Sequence, residues 1–472
     1  MILHDIKLAK KSLILMGNST LKLLTQITII VILSKKISIE KYGIYQSVWM
    51  YINIISVCTL FGLPSLILSS QQGSLKIFIK KNIIKLILIA AILNFFIILY
   101  LLVLKDSISI EIKLLLYFFT LLQNISIVLD TQIIKREKEY FLLISNFIFN
   151  IIYFGIHLFF IFYGFSISKL LAFISIVYFL KNLIQLFFLS RNKPSDNNNL
   201  GHEISIGSQW FYLGVTDIVG VIFKWIDKWV ILIFISLKEF AIYFNASYEI
   251  PIYAIMVGAV GNIMLVELAK AKTSIETKTK EIFEKSINLL SRFVFPSFCF
   301  LVFFHSEIFK LLFGDKYIAG IPIFFITLFL IPIRVTNFTA FLQVYGKADI
   351  ILKGSTLDLL IAILLMLILY PSSGLKGLAL ACVLSTYIQA AYYLWHTSKF
   401  TDQKIMNFIP FKAMFFIMFV SAFTMGLVYF VSKTYFGDII LILGFITTCI
   451  LITIWVIQYG LKIKKVSTIL VF

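Results

Sequence analysis

The sequence predicts an all-α, polytopic membrane protein of about 14 transmembrane helices, and three observations carry that expectation. Hydrophobic residues make up 60% of the 472 residues and charged residues only 14%, well below the share in a soluble domain. The apolar residues gather into fourteen runs, each close to the roughly 20 residues that a helix needs to cross a hydrocarbon core. Only short polar loops join the runs. The longest, Arg191–Ser205, Ala269–Ser286 and Ser306–Gly320, leave no room for a separate soluble catalytic domain.

The first run, Ser12–Ser34, follows Lys10 and Lys11 and lacks a small-residue cleavage site, so it is expected to insert as a span and not to be removed as a leader. Ile44–Ser70, Ile83–Leu104, Ile112–Ile134, Phe141–Gly164 and Leu170–Ser190 bring the count to six. After a polar linker come Gly207–Ile235 and Ala241–Leu268. The segment Ala271–Lys285, in which lysine and glutamate alternate with Ile275, Ile282 and Phe283, predicts an amphipathic helix on the inner surface. Ile287–His305, Ile321–Val344, Gly354–Tyr370 and Leu375–His396 close a second set of six, and Phe411–Ser432 and Ile439–Gly460 remain as two extra spans. Gly62 with Pro64, Pro251, Pro296, Pro322 and Pro332 are candidate bending points, because proline removes a backbone hydrogen bond.

The net charge of +19 invites a nucleic-acid reading, and the distribution of the cations excludes it. With both termini inside, 25 lysines and arginines fall in inner loops and 11 in outer loops, an asymmetry that sets orientation by the positive-inside rule. The basicity is topological, and anionic lipid of the inner leaflet is its expected partner. Cys58, Cys299, Cys382 and Cys449 all lie within spans and form no disulfide framework. His4, His157, His202, His305 and His396 never come in metal-ligand spacing, and no loop concentrates a Ser, His and Asp set. No cofactor or enzyme signature is present in the sequence.

One internal repeat stands out. Ile37-Ser38-Ile39-Glu40-Lys41-Tyr42-Gly43-Ile44-Tyr45 recurs as Ile235-Ser236-Leu237-Lys238-Glu239-Phe240-Ala241-Ile242-Tyr243, at a constant offset of 198 residues. The copies form the outer turns between spans one and two and between spans seven and eight. Spans one to six and seven to twelve therefore predict two lobes in parallel orientation, residues 1–200 and 201–405, followed by an extra pair of spans in residues 406–472.

These pieces, together with Phe61-Gly62-Leu63-Pro64, Ile226-Asp227-Lys228, Leu312-Phe313-Gly314-Asp315-Lys316-Tyr317 and Gly374-Leu375-Lys376-Gly377-Leu378-Ala379, give a chain that resembles the polysaccharide exporters of the multidrug/oligosaccharidyl-lipid/polysaccharide (MOP) flippase superfamily, which include the O-antigen flippases. The resemblance covers nearly the whole chain. It implies two six-helix lobes around a central cavity that opens alternately to either face, with the last two spans packed outside.

What such a cavity carries should be told by the ionisable residues inside the spans, since each costs at least ~2.5 kcal/mol at a helix centre unless paired or solvated. Nearest mid-membrane are Lys22, Lys181, Lys224 and Arg334. The acids lie mainly off centre: Asp130 and Asp358 toward the inside, Asp227 and Glu249 toward the outside, and Asp217 about a turn inside the midpoint. A cationic centre suits a diphosphate, whereas a pocket for cationic drugs calls for carboxylates there. Lys22, Lys181, Lys224 and Arg334 are thus the candidate substrate-binding residues, and Asp217, Asp227, Lys228, Glu249 and Asp358 the candidate gating or ion-pair residues. Each lysine also has a plainer reading, a local pair or a side chain that snorkels. Asp217, Lys224, Asp227 and Lys228 share one stripe of the seventh span. Trp210, Trp225 and Trp229 in that span read first as interfacial belt residues.

The resemblance implies a flippase that moves a polyprenyl-diphosphate-linked oligosaccharide from inner to outer leaflet of the cell (inner) membrane for O-antigen, lipopolysaccharide, capsule or similar surface polysaccharide. Its implied partners are membrane lipids, a polysaccharide polymerase and assembly proteins. The rival within the superfamily is a cation-coupled multidrug exporter. A membrane polysaccharide polymerase would need a larger outer loop bearing catalytic side chains than this chain has.

Overall fold

The computed structural model describes residues 2–69, 109–191, 206–264 and 277–469, apart from 137, 165, 402–408, 436 and scattered positions within 251–263 and 337–346. The expected third span, Ile83–Leu104, and residues 192–205 of the linker lie outside the described residues. No strand occurs among the described residues. Eight of their helical stretches are long and apolar enough to cross a membrane. The chain is an all-α, multi-pass membrane protein.

It gathers into two compact units, Met1–Ala241 and Ile242–Phe472, a division by packing that falls one span later than lobes counted by spans. The first contains α1 (Ile2–Lys36), α2 (Ile39–Leu60), α3 (Leu63–Ser69), α4 (Ile110–Lys135), α5 (Glu139–Tyr163), α6 (Ile167–Arg191) and α7 (Ile206–Phe234). Within it α1 lies along α5, α4 along α6, and α2 against α7. α8 (Leu237–Ala246) leads into the second unit, which contains α9 (Thr277–Phe303), α10 (His305–Phe313), α11 (Ile321–Leu328), α12 (Leu330–Ile333), α13 (Ala348–Thr401), α14 (Phe411–Tyr435) and α15 (Ile440–Ile469). α14 and α15 both pack on α9. Gly444 allows that approach, because a Cβ there would meet the Phe304 ring at 2.7 Å. The outward faces of the two helices, with Phe415, Phe419, Phe423 and Ile450, stay exposed, as lipid-facing side chains should.

The repeated turn has the same local physics in both copies. Ile37 N–H donates to Leu33 O (3.1 Å) and Ile235 N–H to Ile231 O (3.0 Å), closing the preceding helices. Ser38 Oγ then accepts from Lys41 N–H (3.3 Å) and Ser236 Oγ from Glu239 N–H (3.1 Å), which satisfies one orphan donor at each helix start. Every one of these residues is 198 positions from its counterpart. Tyr42 and Phe240, again counterparts, are both fully buried. The copies also touch: a Cβ on Gly43 would sit 2.8 Å from Leu237 O.

The candidate bending points sort into three kinds. Between α2 and α3, Phe61 (φ 42°) and Gly62 (φ 74°) adopt left-handed backbone, and the path also lets Gly62 approach Gly214 of α7, whose N would lie 2.6 Å from an added Cβ. Pro322 occupies the first turn of α11, where its missing N–H has no helical partner to lose, and Pro296 lies inside an uninterrupted α9. Pro332 lies in the one-turn α12, which gives way to a turn at Arg334 and Val335. Pro251 lies outside the described residues. α13 joins the expected eleventh and twelfth spans, and it is divided at Gly374 (φ 55°). Where the sequence predicts a separate inner-surface helix over Ala271–Lys285, residues 277–285 are the first turns of α9 itself, continuous with the ninth span.

Candidate functional site

Among the described residues, the charged side chains that the sequence analysis singled out fall into two groups in the first unit and, in the second, one ion pair and the separate Asp358. Lys181 and Gln185 are one turn apart on α6, and both reach Asp130 on the adjacent α4. Lys181 Nζ donates to Asp130 Oδ2 at 3.1 Å and Gln185 Nε2 to Asp130 Oδ1 at 2.6 Å. The Lys181 side chain is 8% exposed and that of Asp130 is 26% exposed, so this is a nearly dry pair. Its Nζ also stands 5.2 Å from the centre of the Phe149 ring of α5. Lys22 on α1 is exposed and within electrostatic reach of Lys181. The lysine expected to bind substrate is therefore held by a carboxylate that the sequence reading left without a role.

The stripe on α7 is divided by burial. Asp217 and Lys224 are exposed, while Asp227 is buried. Asp227 accepts from the backbone N–H of Lys228 (2.8 Å) and pairs with its Nζ (3.2 Å). Trp225 is also buried, with Lys224 Nζ 5.5 Å and Lys228 Nζ 5.8 Å from its ring. That placement corrects the belt reading for Trp225, which is a packed platform under two lysines. Trp210 packs edge-on against Phe61 at 5.8 Å.

In the second unit Arg334 forms an ion pair with Glu249, and both side chains are more than a third exposed. Asp358 on α13 is 2% exposed and rests against the Ser385 hydroxyl. Its Oδ1 accepts no hydrogen bond, and it makes no ion pair, among the described residues.

Some polar groups escaped the sequence reading. His157 of α5 is fully buried. Its Nδ1 contacts Tyr153 O at 2.8 Å and its Nε2 contacts Tyr45 Oη at 3.0 Å. A carbonyl only accepts, so Nδ1 carries the proton and, in the neutral ring, the tyrosine hydroxyl donates to Nε2. Asn124 of α4 links Ser56 and Thr59 of α2. The four-residue spacing of Lys181 and Gln185 was a visible signal; the spacing of the other groups was not. A shallow groove between α5 and α6, lined by Gly155, Phe159, Phe160 and Phe173 among others, is almost wholly apolar and contains none of these charges.

No family model matches the chain, and no curated protein matches it. Solved structures do. The lipid II flippase MurJ in an inward closed conformation is 16% identical, with a TM-score of 0.64 over 94% of this chain and 99% of that one. An inward-facing multidrug resistance MATE family transporter of the MOP superfamily is 13% identical, with a TM-score of 0.58 over 80% and 94%. A MOP superfamily transporter from Pyrococcus furiosus, described by a reverse polarity of its binding pocket, is 14% identical, with a TM-score of 0.51 over 83% and 94%. At these identities the likeness is one of fold, and the chain has the fold of the MOP transporters and flippases.

Proposed function

We propose that this protein is a flippase that carries a polyprenyl-diphosphate-linked oligosaccharide from the inner to the outer leaflet of the cell membrane, by alternating access, for assembly of O-antigen or a comparable surface polysaccharide. The observation that supports this most is the sign and exposure of the charges inside the spans: Lys22, Lys224 and Arg334 are cations with exposed side chains. A cation kept there at such insertion cost is suited to hold an anion that passes. The similarity to a lipid II flippase supports a lipid-linked substrate. The diphosphate is assigned to Lys22, Lys224 and Arg334, with Lys181 held in reserve by Asp130; Asp217, Asp227, Lys228, Glu249 and Asp358 are assigned to gating or charge balance. The two lobes are taken as residues 1–200 and 201–405. A polymerase and other assembly proteins are the partners that would take the product.

The similarity to MATE transporters keeps one rival, a cation-coupled drug exporter. Transport assays on the purified chain in liposomes separate the two. A fluorescent polyprenyl-diphosphate oligosaccharide should become inaccessible to a membrane-impermeant quencher, or accessible to it, faster with protein than without, and a cationic dye should not move. Dye efflux without lipid translocation would replace this proposal by its rival.

Both termini are assigned to the cytoplasm on the 25 to 11 distribution of basic residues. Reporter fusions after Lys138, Lys285 and Lys465 are expected to report the inside. An outside signal from any of them would overturn the topology and the lobe assignment.

A further inference from the structure

The eighth and tenth spans are both interrupted, and the interruptions are bound to one another. α8 ends at Ala246, and residues 248–250 are not helical. α11 ends at Leu328, α12 lasts a single turn, and Arg334 closes it. Broken helices at membrane depth free carbonyls that lipid cannot satisfy. Neighbouring hydroxyls reach carbonyls beside both breaks. Thr327 Oγ1 donates to Ala246 O at 3.0 Å, tying the tenth span to the end of α8, and Tyr387 Oη of α13 donates to Phe329 O at 2.9 Å.

The ion pair of Arg334 with Glu249 crosses between the same two breaks. It differs in kind from the pair of Lys181 with Asp130. The Arg334 side chain is 37% exposed and that of Glu249 44% exposed; charges this open cannot face lipid and must face water. A carboxylate and a phosphate oxygen pair make the same fork with a guanidinium. Glu249 thus fills the position on Arg334 that a phosphate would fill.

On the reading of the protein as a diphosphate-lipid flippase, we infer that Glu249 is an internal stand-in for the substrate's phosphate: it neutralises Arg334 while the site is empty, yields to the diphosphate on binding, and in yielding releases one of the ties between the two broken helices. Two consequences follow. The empty protein has no naked cation at the breaks, and the diphosphate can leave because Glu249 returns to replace it.

The test is a binding titration of the full-length protein in detergent, using a short-chain polyprenyl diphosphate without sugar and, in a second arm, inorganic pyrophosphate. Arg334→Gln should weaken binding of the lipid. Glu249→Gln should tighten it, by about 1.5-fold to fivefold for a pair of this exposure, because the competitor is gone. Glu249→Asp, whose shorter carboxylate reaches Arg334 less well, should fall between, and it serves if the glutamine variant does not fold. Lipid affinity that is unchanged or weaker in both Glu249 variants, while Arg334→Gln still loses affinity, overturns the stand-in and leaves the flippase reading in place. If the wild type binds neither probe, or Arg334→Gln binds as well as wild type, the assignment of the diphosphate to Arg334 fails and the stand-in fails with it. Tightening for pyrophosphate equal to that for the lipid would assign recognition to the diphosphate alone; tightening confined to the lipid would mean that the isoprenoid must seat first. Both support the stand-in.

Discussion

Replacing Lys181 by alanine while Asp130 remains is expected to destabilise the protein by about 3 kcal/mol, at the lower end of the range for breaking a buried pair because Asp130 is a quarter exposed. The variant leaves a carboxylate on α4 with Gln185 as its remaining partner among the hydrogen bonds to that group. Folded yield by gel filtration in detergent and the melting temperature check it. The double variant Lys181→Met, Asp130→Leu should recover part of the loss, since no charge is then left buried and unpaired, while the buried Gln185 amide loses its acceptor and keeps the recovery incomplete. That double variant also separates two roles. If it folds and still transports, Lys181 is a structural cation; if it folds and does not, the lysine serves the substrate.

The double variant Lys22→Ala, Arg334→Ala is expected to abolish surface polysaccharide at normal protein level. Neither residue is packed as Lys181 is: Lys22 is exposed and Arg334 is more than a third exposed, so their removal should spare the fold. Replacement by glutamate should be more severe than by alanine, because the diphosphate would then be repelled. Glycan display by the alanine double variant, measured against membrane protein level, would end the anionic-substrate proposal.

The fold was legible in the sequence because span length is a one-dimensional quantity. A run such as Phe411–Ser432 states its own length, and the turn around Ser38 states its own cap. Pairing was not legible, and the reason lies in the solvent. In water a helix marks its buried face with apolar residues, but in lipid both faces are apolar. Phe119 of α4 is fully buried and Phe118 beside it is 53% exposed, and nothing in their chemistry tells which is which. Without a readable face the rotation of each helix is unknown. So Asp130 could be given a depth but not a partner in Lys181, and the contact of Tyr45 with His157, 112 positions apart, left no trace. Breaks were partly legible: the Gly62 bend and the interruption near Pro332 stand where glycine and proline predict them, whereas Pro322 and Pro296 interrupt no helix. A proline reports only a missing donor, and whether the helix needed that donor depends on its place in the turn.

The duplicated turn has a consequence for how alike two copies of one segment are allowed to be. Where the copies lie against each other, each faces a stretch of its twin, and the space at the contact must be divided between them. The first copy has Gly43 where the second has Ala241, and the carbonyl of Leu237, itself the counterpart of Ile39, stands where the missing methyl would go. A first copy that carried the alanine of the second would crowd itself at that point. One methyl group is the measure of the difference: the second copy buries it at Ala241, and the first has room only for a hydrogen where it faces the carbonyl of Leu237.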